Sequence, residues 1–387
     1  MDTEFAQNYD PLDPETLINP YPIYERLREH APIFWHKRMK SWVLSRYDDC
    51  KEVLRNYQLF ARDRRRIGKD IPDVKHNLQS LDPPNNKSLR NLMIKAFNSQ
   101  DIEKIKNHIH VLISEILNKQ AAKNRFNFMT EVSAPLSLRT TSILLGVKEP
   151  NLKIYMDISD AIAHQMDSGL KPEYADPGNK ARMRLNEFVD VWFTNEQDSG
   201  ILPFIRKNKK DVKIPEYYIR NTTATMFNAS FGTLYAAFGN IVFTLLKNPD
   251  VLTLLKDNSL FNSGINELIR FDGPAQATSR FAVETMTLGG EVISKGDSVI
   301  TLLASANHDP RMFPQPESIV LHRSKNPHLA FGWGVHACLG KLFGELAIQE
   351  LIKSLQETPK ILNLVDKPRR RETATVRCID DLPVSYK

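Results

Sequence analysis

Between Pro215 and Pro249 the chain runs for 33 residues without proline, although 23 prolines are spread over its 387 residues. A segment of that length can form one helix of roughly 50 Å, enough to cross a whole domain, with Gly232 and Gly239 as local weak points. Its middle is polar for a helix at the centre of a fold. Asn221, Thr222, Thr223, Thr225, Asn228, Ser230 and Thr233 interrupt an apolar run of Met226, Phe227, Phe231 and Leu234. Back-bonding to preceding carbonyls would satisfy about half of these groups. The others need partners when buried, so a cavity, water or a ligand is expected alongside.

Helical periodicity dominates elsewhere too. Candidate helices cover residues 22–29, 48–56, 87–97, 102–119, 128–145, 151–167, 180–196 and 250–257, separated by Pro, Gly or Asn. The 48–56 helix would open on an aspartate cap. Strands are short and lie near both ends: a hairpin of 33–35 with 41–45, then 280–283 and 291–293, and a terminal pair near 373–376 and 383–386. The pattern is that of a mainly α fold with minor β-sheet. No Gly/Ser linker, low-complexity tract or internal repeat divides the chain, which allows one large domain.

The chemistry concentrates in Phe331-Gly332-Trp333-Gly334-Val335-His336-Ala337-Cys338-Leu339-Gly340. Gly332, Gly334 and Gly340 let the backbone take positive φ and lie close to a flat ligand. Cys338 would point at a metal, because backbone N–H groups around a sulfur near a helix N-terminus stabilise its anionic form. His336 is placed to donate to a cofactor carboxylate. A glycine loop with an ordinary buried thiol is the bland alternative, but the ordered set Phe, Gly, Gly, His, Cys, Gly is specific. It reads as a haem-thiolate loop, and a thiolate ligand implies activated-oxygen chemistry rather than oxygen storage.

The loop resembles the cytochrome P450 signature Phe-Gly-x-Gly-x-His-x-Cys-x-Gly, and the resemblance runs from about residue 19 to 386 in the order of the soluble bacterial class. It implies a single-domain cytochrome P450 fold over residues 19–387 after an extension of residues 1–18, with a long central helix and small β-sheets. It implies haem b (iron protoporphyrin IX) as cofactor, Cys338 as the iron ligand, and Phe331 and Gly340 beside it. Arg90, Arg280 and His336 would neutralise the haem carboxylates, as buried anions require. Asn86 stands where a propionate-binding histidine is common. Glu267 and Arg270, three apart on one helix face, match with Arg323 a buried charge network behind the haem, a structural role. Asn307-His308-Asp309-Pro310 resembles the family's Ala-Asn-Arg-Asp-Pro turn with one substitution.

The departure lies in the long helix. The family's Ala-Gly-x-(Asp/Glu)-Thr stretch falls on Ala229-Ser230-Phe231-Gly232-Thr233. Thr233 keeps the oxygen-side alcohol, Ser230 takes the usual glycine, and Gly232 replaces the acid that normally relays protons. Proton delivery then has to come from water, Ser230, Thr233, the substrate or a residue elsewhere. A polar-functionalised substrate that helps deliver protons is one expectation; coupling or dehydrogenation, less dependent on the relay, is another. By resemblance, residues 61–78, 162–166, 226–233, 275–278 and 375–376 line the substrate pocket, with Met166, Met226, Ala229, Gln276, Thr375 and Val376 as contacts. Such a mixed lining suits a medium-sized natural product.

The implied function is a haem-thiolate monooxygenase of secondary metabolism, fed with electrons by a ferredoxin or flavodoxin and its reductase near Lys341; no Gly-x-Gly-x-x-Gly supplies a nucleotide site of its own. A haem-binding relative without turnover, acting through a ligand or partner, would also fit the missing acid. Three separated cysteines, Cys50, Cys338 and Cys378, argue for a reducing compartment, and the polar, acidic stretch 1–14 suits a soluble cytoplasmic protein without a membrane anchor. Net charge +6 and pI 9.0 are too dispersed for nucleic acid, the clusters at 62–66 and 367–371 reading as solvated loops. Neither His-Glu-x-x-His nor paired Cys-x-x-Cys points to zinc. The carbon monoxide difference spectrum of the reduced protein should show a thiolate signature that Cys338→Ser abolishes; its persistence in that variant would remove the ligand assignment.

Overall fold

The computed structural model describes residues 4–194 and 199–387. One helix, Glu216–Lys247, spans 32 residues without interruption, about 48 Å at the helical rise, entered from Pro215 and left at Asn248. Its polar residues find the partners that burial demands. Thr222, Thr223 and Thr233 donate back to the carbonyls of Tyr218, Ile219 and Ala229. Asn221 instead donates to Asp73 O and His76 O at 2.8 and 2.9 Å, tying down the segment after residue 61. Gly239 admits the Met129 side chain, which a Cβ there would overlap. Two-thirds of the most apolar window of this helix is buried inside the protein, which accounts for a hydropathy high enough to cross a membrane.

Helices pack around this axis: Lys87–Asn98, Ile102–Gln120, Ala134–Leu145, Leu152–Met166, Ala175–Thr194, Asn258–Asp272 and Lys341–Glu357. The expected helix 128–145 begins as a π turn, Met129–Ser133, before becoming α-helical. The helix expected at 180–196 starts five residues earlier, at Ala175; its expected end at 195–196 lies outside the described residues, as do residues 1–3. Helix Tyr47–Arg55 has no aspartate cap of its own. Asp309, far away in sequence, accepts the Tyr47 N–H instead at 2.9 Å.

A five-stranded sheet flanks the helices in the order Ile33–His36, Ser41–Leu44, Ser298–Leu302, Ala277–Ala282, Phe60–Ala61. Ser41–Leu44 runs parallel to Ser298–Leu302, and every other neighbour is antiparallel. The expected terminal pair is a different sheet: Pro383–Tyr386 pairs with Phe126–Asn127 and Leu362–Leu364. Residues 373–376 are not a strand, because Asp167 takes the Ala374 and Thr375 N–H groups and the Thr375 hydroxyl.

Glu267 and Arg270 are fully buried and paired at 2.8 Å, and Arg323 donates to the same carboxylate at 3.1 Å. Burial pushes Glu267 up, but the hydrogen bonds from Arg270 and Arg323 outweigh it and hold the group below its ordinary value. Glu267→Ala would strand two buried guanidiniums, at a cost of about 3–5 kcal/mol, measured by urea unfolding. Since the folded pKa is depressed, that stabilisation is present above the unfolded value near 4.3 and is lost as pH falls through the folded value. The gap between wild type and Glu267→Gln should therefore narrow on acidification.

Candidate active site

The loop from Phe331 to Gly340 is closed by its own backbone: Cys338 N–H donates to Phe331 O at 2.8 Å and Gly332 N–H to Leu329 O at 2.8 Å. Gly332 and Gly334 take φ of +67° and +72°, where a side chain is strained. Gly340 does not: at φ −86° it is the N-cap of Lys341–Glu357, and its value is closeness to Cys338, whose Sγ lies 3.9 Å from where a Cβ would sit. Arg90, from Lys87–Asn98, donates to Ala337 O at 2.8 Å. Cys338 keeps accessible surface. Burial pushes its thiol up, while a Gly340 N–H and the Arg90 charge pull it down. Phe331 packs against Gly344 on the following helix.

A second cluster sits beside the loop. His336 Nε2 lies 2.7 Å from Asp82 Oδ1, and Asp82 also accepts from the N–H groups of Arg62 and Asp63 and from Arg66. Burial pushes Asp82 up, but His336, the Asp63 N–H and Arg66 hold it low. Burial also pulls His336 down, helped by Arg62 and Arg280. The His336 ring nitrogen therefore faces a carboxylate that its neighbours hold ionised. Arg280 is buried; burial and the nearby Arg62 lower it to about 9, against Asp82 alone. Arg62 is lowered for the same reason.

Asn86, one turn after Asp82, is buried with its Nδ2 lacking any acceptor. Three guanidiniums, of Arg62, Arg66 and Arg280, around one carboxylate, with an orphaned amide donor one turn on, form a place for further negative charge. With an accessible thiol next to positive-φ glycines, these residues fit a flat dianion such as haem. Arg90 is not in this cluster; it serves the Cys338 loop. Arg62 was hidden in a basic run that reads as solvent-facing, and only its distance from Asp82, twenty residues on, reveals its role.

A cavity of about 650 Å³ runs along the long helix, bounded by Ala229, Gly232 and Thr233. Met166 and Val376 line it; Met226, Gln276 and Thr375 do not. Met226 packs into the core, Gln276 exchanges hydrogen bonds with Tyr24 and Gly273 O, and Thr375 is held by Asp167. From the sheet, Ser279 and Phe281 face the cavity in place of residues 275–278. Ser230 turns away, its hydroxyl 2.9 Å from Thr141 Oγ1. Beside Gly232 lies Ser159 of Leu152–Met166, which the sequence did not single out.

A mainly helical fold around a glycine-rich cysteine loop, with cations for two acid groups, defines a haem-thiolate protein. The chain belongs to the cytochrome P450 family: the family model described as Cytochrome P450 matches residues 120–357, more than half of the chain. It is 28% identical to Cytochrome P450 CYP107DY1 of Priestia megaterium, over 96% of this chain and 97% of that one. It is 28% identical to Cytochrome P450 monooxygenase PikC of Streptomyces venezuelae, over 89% and 85%. The structure of epothilone B-bound Cytochrome P450epoK superposes with TM-score 0.86 at 25% identity, covering 98% of this chain and 99% of that one. The cofactor is haem b and the enzyme class is that of the cytochrome P450 monooxygenases, which act on small molecules with redox partners.

A Cβ at Gly232 would lie 3.4 Å from Ser159 Oγ, an ordinary contact. Gly232→Ala should therefore raise stability by roughly 0.5–1 kcal/mol through helix propensity, read from the urea midpoint. A loss of stability would mean that this wall of the cavity has no room for a methyl group.

Proposed function

We propose that the chain oxidises a medium-sized, polar-functionalised metabolite of natural-product type, that Cys338 holds the haem iron, and that protons reach the oxygen side without a carboxylate. The observation that carries this is the cavity over Gly232 and Thr233: its one acid, among the described residues, is Asp160, which is paired with Arg371 at 2.7 Å. When bound, haem supplies the reductive activation of dioxygen and the transfer of one oxygen atom to substrate.

With haem bound, Arg62 and Arg280 would balance its carboxylates, and the orphaned Asn86 amide would supply a donor to them. His336 acts as a positioning residue through Asp82. Arg90 fixes the Ala337 carbonyl and adds a positive field beside the thiolate. Thr233 donates its proton to Ala229 O at 2.6 Å, so its oxygen is free to accept from water or substrate and to order a proton there. Ser159, beside Gly232, is a second hydroxyl on the same wall. The epothilone B-bound neighbour supports reading the cavity as a site for a whole organic molecule. A ferredoxin or flavodoxin would dock near Lys341, whose side chain is half exposed, and a cytoplasmic location goes with such a partner.

Ligands from a metabolite panel that shift the haem spectrum, incubated with a surrogate reductase under labelled dioxygen, should yield at least one product carrying a single labelled oxygen. Binding without any product would favour a haem protein that does not turn over. With that substrate, Gly232→Asp should leave product per electron unchanged, because the substrate and hydroxyls already deliver protons. A several-fold gain in coupling would show that the missing acid limits the enzyme.

A further inference from the structure

Among the described residues five cationic side chains line the cavity, Arg62, Arg64, Lys75, Arg182 and Arg371, against the single carboxylate of Asp160. Arg371 takes Asp160, and Arg62 belongs with Asp82. Arg64, Lys75 and Arg182 remain. They come from three separate elements, the turns Arg64–Ile67 and Asp73–Lys75 and the helix Ala175–Thr194. Among the described residues none of the three has a carboxylate within ion-pair distance. They are near enough to one another that burial, Arg182 and Arg64 together lower Lys75. Like charges gathered without a counter-ion repel, and the cost grows with burial.

Arg182 is also held in place. Gln165, itself buried, donates to Ala175 O at 3.0 Å and Asn179 Oδ1 at 2.7 Å, and accepts from Arg182 Nε at 2.6 Å. Gly178 allows this, because a Cβ there would overlap the Gln165 side chain. The fork is thus anchored at Nε, while its two terminal nitrogens have no acceptor among the described residues. Arg64 lies over the Phe281 ring at 5.2 Å and is exposed, marking the mouth. The same cavity carries apolar side chains for the body of a ligand, Ile162, Ala163, Met166 and Phe231, beside the polar Ser159, Thr225 and Asn228.

We propose that the substrate is an anion: an apolar body ending in a carboxylate or phosphate monoester that Arg182, Lys75 and Arg64 hold, with its far end at Thr233. Planar guanidinium forks suit both groups. This deepens the monooxygenase reading and rests on it for the oxidation, but the binding is separable from turnover.

The test uses the haem-loaded protein at low salt with hexadecanoic acid, hexadecyl phosphate and methyl hexadecanoate as probes, measured by equilibrium dialysis and haem spectral shift. At least one anion should bind about ten-fold or more tighter than the ester, as one charge-assisted contact provides, and salt should erode the preference. Arg182→Gln and Lys75→Gln should each remove most of it while leaving ester binding unchanged; intact ester binding shows that the variants fold. Preference for the acid or for the phosphate identifies the group. Equal binding of all three probes, no binding of any, or a preference that survives both substitutions overturns the proposal. If anions bind selectively yet no probe or metabolite is oxidised, the oxygenase reading fails and the anion site stands.

Discussion

The carboxylate of Glu267 organises the approach to the haem loop. It accepts six hydrogen bonds, two from Arg270, two from Arg323, and one each from Val320 N–H and the Asn326 amide. Arg270 spends its other donors on the carbonyls of Asn307, Pro316 and Ser318. Helix Asn258–Asp272 thereby holds a segment that has almost no regular structure of its own. Asn307 passes the constraint on by accepting Leu329 N–H at 2.6 Å, two residues before Phe331. On the other side Asp309 caps Tyr47–Arg55, and Gly334 lies so close to that helix that a Cβ would come within 2.8 Å of Leu54 O. Cys338 is fixed from two directions by groups that never touch it. A buried ion pair contributes little net stability when replaced by apolar residues; its use here is to specify one path for the chain.

The buried charges divide into two kinds. Asp272 is matched inside the protein, accepting from Arg377 at 2.8 Å, Arg370 at 3.3 Å and the Tyr21 hydroxyl at 3.0 Å; burial pushes it up, but the two arginines hold it low. Around Asp82 the excess of cations is larger, with Arg62, Arg66 and Arg280 near one carboxylate and His336 hydrogen-bonded to it. The first arrangement is structural because its carboxylate and both guanidiniums are hydrogen-bonded within the protein. The second suits the two acid groups of haem.

Much of this was legible in the sequence. The loop from Phe331 to Gly340 could be read because its chemistry depends on residue types at fixed spacing, and the long helix because nothing breaks it between Pro215 and Pro249. Glu267 with Arg270 was visible as a three-residue spacing, and Arg323 only through resemblance. Local pattern failed where a distant partner decides the outcome. Asp309 replaces a local cap at Tyr47, Asp167 keeps 373–376 from pairing as a strand, and Asp82 draws Arg62 and Arg66 out of what reads as a solvated run. Tertiary contacts of this kind carry no periodicity. Gln276 and Thr375 were misplaced for the same reason: both look available until their hydrogen bonds are known.

Gly232 and its neighbourhood show that a missing acid is a property of the whole wall. Ser159 Oγ is 3.4 Å from where the Cβ would begin, so helix Leu152–Met166 stands close to the long helix at this level. Further along the same helix, Gln165 reaches Gly178 and Arg182, which sets the adjoining helix and its guanidinium against the cavity. Glycine thus allows a close approach at one end, beside the Ser159 hydroxyl, and again near the other, where an arginine fork is anchored. An aspartate at 232 would add a negative charge to a cavity whose unpaired side chains are all cationic, attracting the groups that otherwise meet a substrate. Its absence leaves Asp160, paired with Arg371, as the one carboxylate of the cavity among the described residues, against Arg64, Lys75 and Arg182.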